Sequence, residues 1–232
     1  MDVVMPVYLN PAESGQVEPD LVESTRRCIR NLKEHADASP VIRIVENGGA
    51  NLHDYPDILD ETKWYLPWDT NQGIARAWNA GMNSCTSDVV LIVNNDCQVI
   101  TDHWDSYAME YFTAIRKCAM LFPNEQGVIW NSPEPRYFGA FFFVLRSAWE
   151  EVGGCAIPPN PGGQYEDTYL FRKLERAGYQ AASSRLITVQ HEGRKTIRRM
   201  PGWMEKIEEN RQWYENLMKE MGDEDPEAVQ KE

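Results

Sequence analysis

Apolar and polar positions divide the 232-residue chain into two unlike halves. Asp2 to Tyr8 is a short valine-rich run closed by Leu9-Asn10-Pro11, which predicts a buried strand followed by a loop. Leu21, Thr25, Cys28, Ile29 and Leu32 then recur at helical spacing, with polar residues between them. The β-branched run Val41 to Val45 stops at Asn47-Gly48-Gly49, a strong turn signal, and predicts a second strand. A variable stretch reaches Asp60. Beyond it the pattern predicts a strand at Trp64 to Leu66, a helix from Asn71 to Cys85, an aliphatic strand from Val89 to Val93 and a helix from Asp105 to Cys118. Strands alternating with helices imply βαβ units and a mostly parallel sheet, whose ligands sit beyond the carboxyl ends of the strands.

The second half predicts two aromatic-rich strands, Val128 to Asn131 and Phe138 to Leu145, and a short helix from Arg146 to Val152. A Gly/Pro-rich loop, Gly153 to Gly163, leads into a helix from Glu166 to Ala177. Leu186 to Gln190 reads as a last strand, Trp203 onward as a helix, and Gly222 to Glu232 as an acidic, frayed tail. No linker is evident, so the chain is expected to form one domain with two sub-regions.

At 42% hydrophobic the chain is too apolar for disorder. A net charge of -13, from 36 acidic against 23 basic residues, argues against long-range attraction to nucleic acid or an anionic membrane, leaving only short-range action by a local basic patch. No apolar run approaches the roughly 20 residues that span a bilayer, and the first residues lack the shape of a signal peptide. The expectation is a soluble protein. Five cysteines, none at CxxC spacing, fit reduced thiols in a cytoplasmic setting, and Cys97 reads as a small buried hydrophobe.

Three features carry candidate chemistry. Asn94-Asn95-Asp96 directly follows the Val89 to Val93 strand, where a carboxylate can hold Mn²⁺ or Mg²⁺ against substrate phosphates; a polar turn ending a buried strand is the plainer reading. Glu166-Asp167 opens a helix after a flexible loop, which suits either a general base or the stabilisation of a helix dipole. His191 ends the last strand, within reach of a metal or in a structural role. A GxGxxG dinucleotide fingerprint, a P-loop and a GxSxG elbow are all missing.

Taken in order, these segments resemble the family 2 glycosyltransferases of the GT-A fold, over most of residues 2 to 196. Pro6-Val7-Tyr8-Leu9-Asn10 is similar to the end of the family's opening strand, and Val45-Glu46-Asn47-Gly48-Gly49 to the second, with Glu46 where aspartate is commoner. Asn71-Gln72-Gly73 through Asn79-Ala80-Gly81 resembles the Asn-x-Gly…Asn-x-Gly segment. Asn94-Asn95-Asp96 takes the place of the DxD-type metal motif, with one carboxylate. Tyr165-Glu166-Asp167 resembles the acidic motif of the catalytic base, and His191 a late metal ligand.

The resemblance implies an α/β fold of GT-A type, with a Rossmann-like, mostly parallel nucleotide-binding sheet and a smaller mixed acceptor-side region. Residues 1–200 would form the domain, split into a nucleotide-sugar half (1–98) and an acceptor half (99–200), with 201–232 a C-terminal helix and tail. It implies an inverting, metal-dependent transfer from a nucleoside-diphosphate sugar, a UDP-sugar foremost. Asp167 would be the base, with Glu166 beside it positioning the acceptor or the helix start. Asp96 and His191 would hold Mn²⁺ or Mg²⁺. Pro6, Tyr8, Glu46, Asn71, Gly73, Arg76, Asn94 and Asn95 would line the donor, and Gly139-Ala140 would allow close approach of sugar and acceptor.

Membrane segments and long C-terminal extensions of the family are missing, which argues against processive polymer synthesis. Short stand-alone members also occur in phages, so a modified DNA base, a protein, a glycan or a lipid-linked saccharide each qualifies as acceptor, with the host cytoplasm as the setting for a phage member. Trp130, Tyr137, Trp149, Tyr165 and Trp203 offer aromatic faces, better suited for the most part to a core. Arg194, Lys195, Arg198 and Arg199 form a basic cluster that suits a solvated face or a phosphate-bearing substrate equally well. A nucleotidyltransferase is the nearest enzymatic alternative, although residues 9–19 hold only Gly15 and neither Lys nor Arg. A silent nucleotide-sugar-binding module is the non-enzymatic one.

Overall fold

In the computed structural model, which describes residues 1–9, 17–48, 51–125, 139–161, 164–192 and 199–222, strands and helices alternate through the first half. The order is β1 (Asp2–Val7), α1 (Pro19–Glu34), β2 (Val41–Asn47), α2 (Pro56–Asp60), β3 (Trp64–Trp68), α3 (Ile74–Met82) and β4 (Val89–Val93). There follow β5 (Cys97–Val99), α4 (Trp104–Ala114), β6 (Cys118–Glu125), β7 (Phe141–Leu145), α5 (Arg146–Glu151), α6 (Glu166–Arg176), β8 (Gln180–His191) and α7 (Trp203–Glu220).

Among the described residues, eight strands join one sheet in the order β3-β2-β1-β4-β7-β6-β8-β5. The β3, β2, β1 and β4 strands run parallel, β7 is antiparallel to both β4 and β6, β6 and β8 are parallel, and β5 pairs antiparallel with β8. From β1 the chain moves outward through α1 to β2 and β3, then returns through α3 to place β4 on the other side of β1. The order therefore reverses between β1 and β4. In open α/β sheets the ligand crevice lies beyond the carboxyl ends of the strands at this point.

Both faces of the sheet are covered, which explains the unbroken apolar runs. Val89, Leu91 and Val93 of β4 pack with α1 and α4 residues such as Leu21, Ile29 and Trp104, whereas Val90 and Ile92 pack with Trp78 of α3 and Leu170 of α6. Alternation along the strand divides its residues between the two layers. Helix α3 lies so close to β1 that a Cβ on Gly81 would stand 2.3 Å from Val4 Cγ1. Glycine is required there. The prolines also follow backbone logic: Pro67 lies on the edge strand β3, and Pro123 at a register shift between Phe122 and Asn124 in β6.

Several boundaries differ from the sequence expectation. The helix expected to reach Cys118 ends at Ala114, because Lys117 adopts a left-handed φ of 58° and Cys118 opens β6. Residues 118–122 are all buried, and an apolar run of that length has no period that separates strand from helix. The last strand begins at Gln180 rather than Leu186, its early residues (Gln180 to Arg185) being small or polar with no apolar alternation. The helix expected from Asn71 to Cys85 is shorter, since residues 71–73 form its lead-in turn. Helix α2 and strand β5 carried too few residues to show a period. The expected strand Val128 to Asn131, Trp130, Tyr137, Arg194, Lys195 and Arg198 lie outside the described residues. Trp149 is buried in the core, as expected. All five cysteines are buried free thiols. Among the described residues no helix is long and apolar enough to cross a membrane.

Candidate active site

At the end of β4 the chain makes a tight turn that sets the first part of the site. The Asn94 N–H donates to the Ala140 carbonyl at 2.8 Å, and the Cys97 N–H donates back to the Asn94 carbonyl at 3.2 Å. Strand β5 then runs beside the end of β8, with Cys97 opposite His191, and the Glu192 N–H donates to the Asp96 carbonyl at 3.1 Å. This brings His191 Nε2 to 3.3 Å from Asp96 Oδ1 across 95 positions of sequence. Burial opposes a charge on His191, but the Asp96 carboxylate outweighs it and holds the imidazole pKa above its ordinary value. The two predicted metal ligands are therefore neighbours.

Asn94 and Asn95 divide their work. Asn94 Oδ1 is buried and has no hydrogen-bond partner among the described residues. The Asn95 amide donates to Thr25 Oγ1 at 2.8 Å, and the Thr25 hydroxyl donates to the Leu21 carbonyl at 2.8 Å, so this side chain anchors the turn to α1. Helix α1 also secures the far side: Ser24 Oγ and Arg27 Nη2 donate to the Glu192 carboxylate at 2.8 and 2.6 Å. Thr25, Ser24, Arg27 and Glu192 were not legible as site residues, because ordinary helix and strand patterning accounts for each.

The ends of β1, β2 and α3 form the adjacent wall. Pro6 is buried in β1 and Tyr8 is half-buried just beyond it. Glu46, at the end of β2, is buried; its carboxylate accepts from the Tyr65 hydroxyl, from the Leu52 N–H at 3.1 Å and from the Asn51 N–H. It thus fixes the loop after β2. Asn47 Oδ1 accepts from the Gln72 N–H at 2.7 Å and Asn71 Oδ1 from the Gly73 N–H at 2.8 Å, which sets the turn entering α3. Gly73 has a φ of 90° that favours glycine. Arg76 is exposed on α3 with no ion pair among the described residues. Asn79 exchanges two hydrogen bonds with Cys155, of 2.8 and 2.9 Å, and so ties α3 to the loop that precedes α6.

The carboxylate pair stands at the first turn of α6. Glu166 is buried, its Oε2 without a partner among the described residues, and burial together with the Asp167 charge pushes its pKa up to about 8. Asp167 is more open to solvent; Oδ1 accepts from the Thr168 N–H at 2.8 Å, and burial raises its pKa as well. Asp167 Oδ2 lies against Gly139, where a Cβ would stand 2.2 Å away. Gly139 precedes Ala140, whose carbonyl holds Asn94. An unbroken run of contacts thus joins Asp167 through residues 139–140 and the Asn94 turn to Asp96 and His191. Of the basic cluster, Arg199 is committed elsewhere: its guanidinium grips the Asp20 carboxylate at 3.0 and 2.9 Å.

Such an arrangement gathers carboxylates and an imidazole beyond the carboxyl ends of the strands, near the strand-order reversal. Comparison with known proteins gives the same direction. A profile of the family described as Glycosyl transferase family 2 matches residues 3–157. Among solved structures, the mannosyltransferase PcManGT from Pyrobaculum calidifontis, in complex with GDP-Man and Mn²⁺, superposes with a TM-score of 0.66 at 15% identity, covering 97% of this chain and 64% of its own. TarS 1-349 of S. aureus superposes with a TM-score of 0.59 at 11% identity, covering 92% of this chain and 63% of its own. The same TarS fragment in complex with UDP gives 0.56 at 11% identity, over 95% and 71%. The chain thus spans somewhat under two thirds of the length of the first two. At these identities the likeness is one of fold, which is GT-A. No curated protein sequence matches significantly.

Proposed function

The chain belongs to glycosyl transferase family 2, and on that premise we propose that it moves a sugar from a nucleoside-diphosphate donor to an acceptor hydroxyl, with inversion and with a divalent cation. The observation that supports this reading is the run of contacts from Asp167 through Gly139, Ala140 and Asn94 to Asp96 and His191. Asp167 takes the proton of the acceptor hydroxyl; the acceptor oxygen bonds to the anomeric carbon from one face while the bond to the diphosphate oxygen breaks on the other. The base is then protonated and the nucleoside diphosphate leaves.

Asp96 and His191 would hold Mn²⁺ or Mg²⁺. The residues fit such an ion: a carboxylate and an imidazole 3.3 Å apart, beside a turn that also buries Asn94 Oδ1, which has no partner among the described residues. Bound there, the cation supplies positive charge against that growing on the diphosphate. Pro6, Tyr8, Glu46, Asn71, Gly73 and Arg76 form the donor wall in this reading, and a UDP-sugar is the first donor to try. The family resemblance and the neighbours' complexes with GDP-Man and UDP support a nucleotide-sugar donor. The acceptor carries a free hydroxyl, on a glycan, a lipid-linked saccharide, a protein or a modified DNA base.

The test is donor hydrolysis across UDP-, GDP- and dTDP-sugars with Mn²⁺ or Mg²⁺. Turnover with one donor is expected, lost in excess EDTA and mostly lost in Asp96→Ala. His191→Ala raises the metal concentration needed for half activity, since water replaces one ligand of an octahedral ion. Full activity in EDTA would overturn the cation, and an unchanged metal titration would return His191 to a structural role.

A further inference from the structure

Cys97 stands directly opposite His191 in the antiparallel β5–β8 ladder, so the two side chains share one face of the sheet. Asp96 reaches the same imidazole from the preceding turn. Sulfur, nitrogen and carboxylate oxygen all lie within 4.8 Å of one another. No other trio of His, Cys, Asp or Glu among the described residues is gathered in this way, although the chain has 36 acidic residues.

Donor chemistry decides which ion such a trio suits. Manganese and magnesium favour oxygen, whereas a thiolate beside an imidazole is a zinc-type set. We propose that Asp96, Cys97 and His191 form a site for a thiophilic divalent cation, zinc foremost, overlapping the position inferred above for manganese. This deepens that reading and rests on it for Asp96 and His191; Cys97 is the new ligand.

The geometry requires little movement. Ligands 2.0 to 2.3 Å from a tetrahedral zinc lie roughly 3.3 to 3.8 Å apart, so the trio closes by about 1 Å. The Cys97 thiol now donates to the Ala140 carbonyl at 3.3 Å. On binding, the S–H proton leaves to solvent and a sulfur lone pair forms the bond to the metal, while a water completes the fourth position. His191, 17% exposed at its side chain, provides the approach. Cys28 lies close behind, its Sγ 3.6 Å from the Asn94 carbonyl, but stands outside the trio and serves as a control. Zinc binds such sites more tightly than manganese, so trace zinc excludes manganese and stops donor turnover.

The experiment uses the reduced, full-length protein without donor. Added Co²⁺ is expected to give a near-ultraviolet thiolate-to-cobalt charge-transfer band that Zn²⁺ removes. Cys97→Ser abolishes the band and Cys28→Ser keeps it. Zinc affinity from chelator competition falls at least about 10-fold in Cys97→Ser, the size usual even for losing an outer partner of a ligand. Manganese affinity from the paramagnetic signal stays within about threefold, because manganese draws on oxygen and nitrogen donors. Cys97→Ala carries the same expectations should the serine variant fold poorly. A wild-type protein without the band, or a band that survives in either Cys97 variant, overturns the proposal. Donor hydrolysis with Mn²⁺, assayed separately, identifies what has failed: hydrolysis without the band sinks the zinc trio alone, and the band without hydrolysis sinks the sugar-transfer reading.

Discussion

Gly139 makes room for Asp167: a Cβ at that position would stand 2.2 Å from Oδ2 and 2.9 Å from Cγ of the carboxylate. Nothing flexible lies between them, because the other carboxylate oxygen is held by the Thr168 N–H. Gly139→Ala therefore has to displace the proposed base by an ångström or more. A shift of that size costs about 100-fold in rate when the group must meet a reacting atom. The expected outcome is a kcat lowered by that order with donor affinity by calorimetry nearly intact. Wild-type kcat in this variant would remove Asp167 from the reaction centre.

Asp167 and Glu166 are neighbours on one helix and point about 100° apart, so they cannot face the same acceptor hydroxyl. Asp167 is the more open of the two, whereas Glu166 is buried with an oxygen that has no partner among the described residues. Asp167→Asn keeps shape and removes basicity, and should lower transfer by about 10² to 10⁴ while leaving donor binding intact. Glu166→Gln is expected to keep most of kcat. Paired measurements of kcat and donor affinity decide; a dead Glu166→Gln beside an active Asp167→Asn reverses the assignment.

Glu166 also gives the fold a pH dependence. Its pKa is about 8 in the folded chain, against an ordinary 4.5. Between those values the unfolded chain releases the proton and the folded chain keeps it, so rising pH favours unfolding, by at most about 1.4 kcal/mol per unit for one group. Above pH 8 that loss is complete. Glu166→Gln removes the group and should flatten the decline in urea midpoint between pH 5 and 8. A parallel decline in wild type and variant would show that Glu166 is not its source.

Much of the fold was legible because both faces of the sheet are covered. Runs such as Val89 to Val93 can only be buried strands or helix cores, and their length and flanking turns settle which. The Asn94 turn, the α6 carboxylates and His191 were legible because polar residues at element ends stand out against apolar runs. The pairing of Asp96 with His191 came only from the family resemblance, since in the residues themselves it depends on β5, three residues long and without a period. Cys97 was read as a small hydrophobe, which its burial bears out, but its place opposite His191 comes from strand register. Arg199 illustrates the converse. Four cations within six residues suited a solvated face or a phosphate-bearing substrate equally well, and the one among the described residues, Arg199, is paired with Asp20 on α1. Arg199→Ala should lower stability by under about 1 kcal/mol, as for other half-exposed pairs, and leave the donor KM unchanged. A KM that rises severalfold in this variant would restore its place at the phosphates.

Asn94 separates a built site from a polar turn. Its Oδ1 is buried without a partner among the described residues, while its backbone is fully engaged: the N–H with Ala140, and the carbonyl with Cys97. A turn alone needs only that backbone pattern and would turn the amide toward water. An orphaned buried oxygen costs about 1 to 3 kcal/mol, which is large against the stability of a domain. Such a cost persists where a ligand supplies the missing partner, which in the proposed function is the cation or the donor. Asn94→Ala should therefore raise the urea midpoint, by up to about 1 kcal/mol once lost packing is subtracted, and weaken Mn²⁺ or donor binding at least about 10-fold. Stability and binding must move in opposite directions. Urea unfolding and calorimetric titration of the same preparation read both. A variant that is less stable and binds Mn²⁺ and donor as the wild type does would make Asn94 the polar turn that ends a buried strand, and leave Asp96 and His191 without the support of that third group.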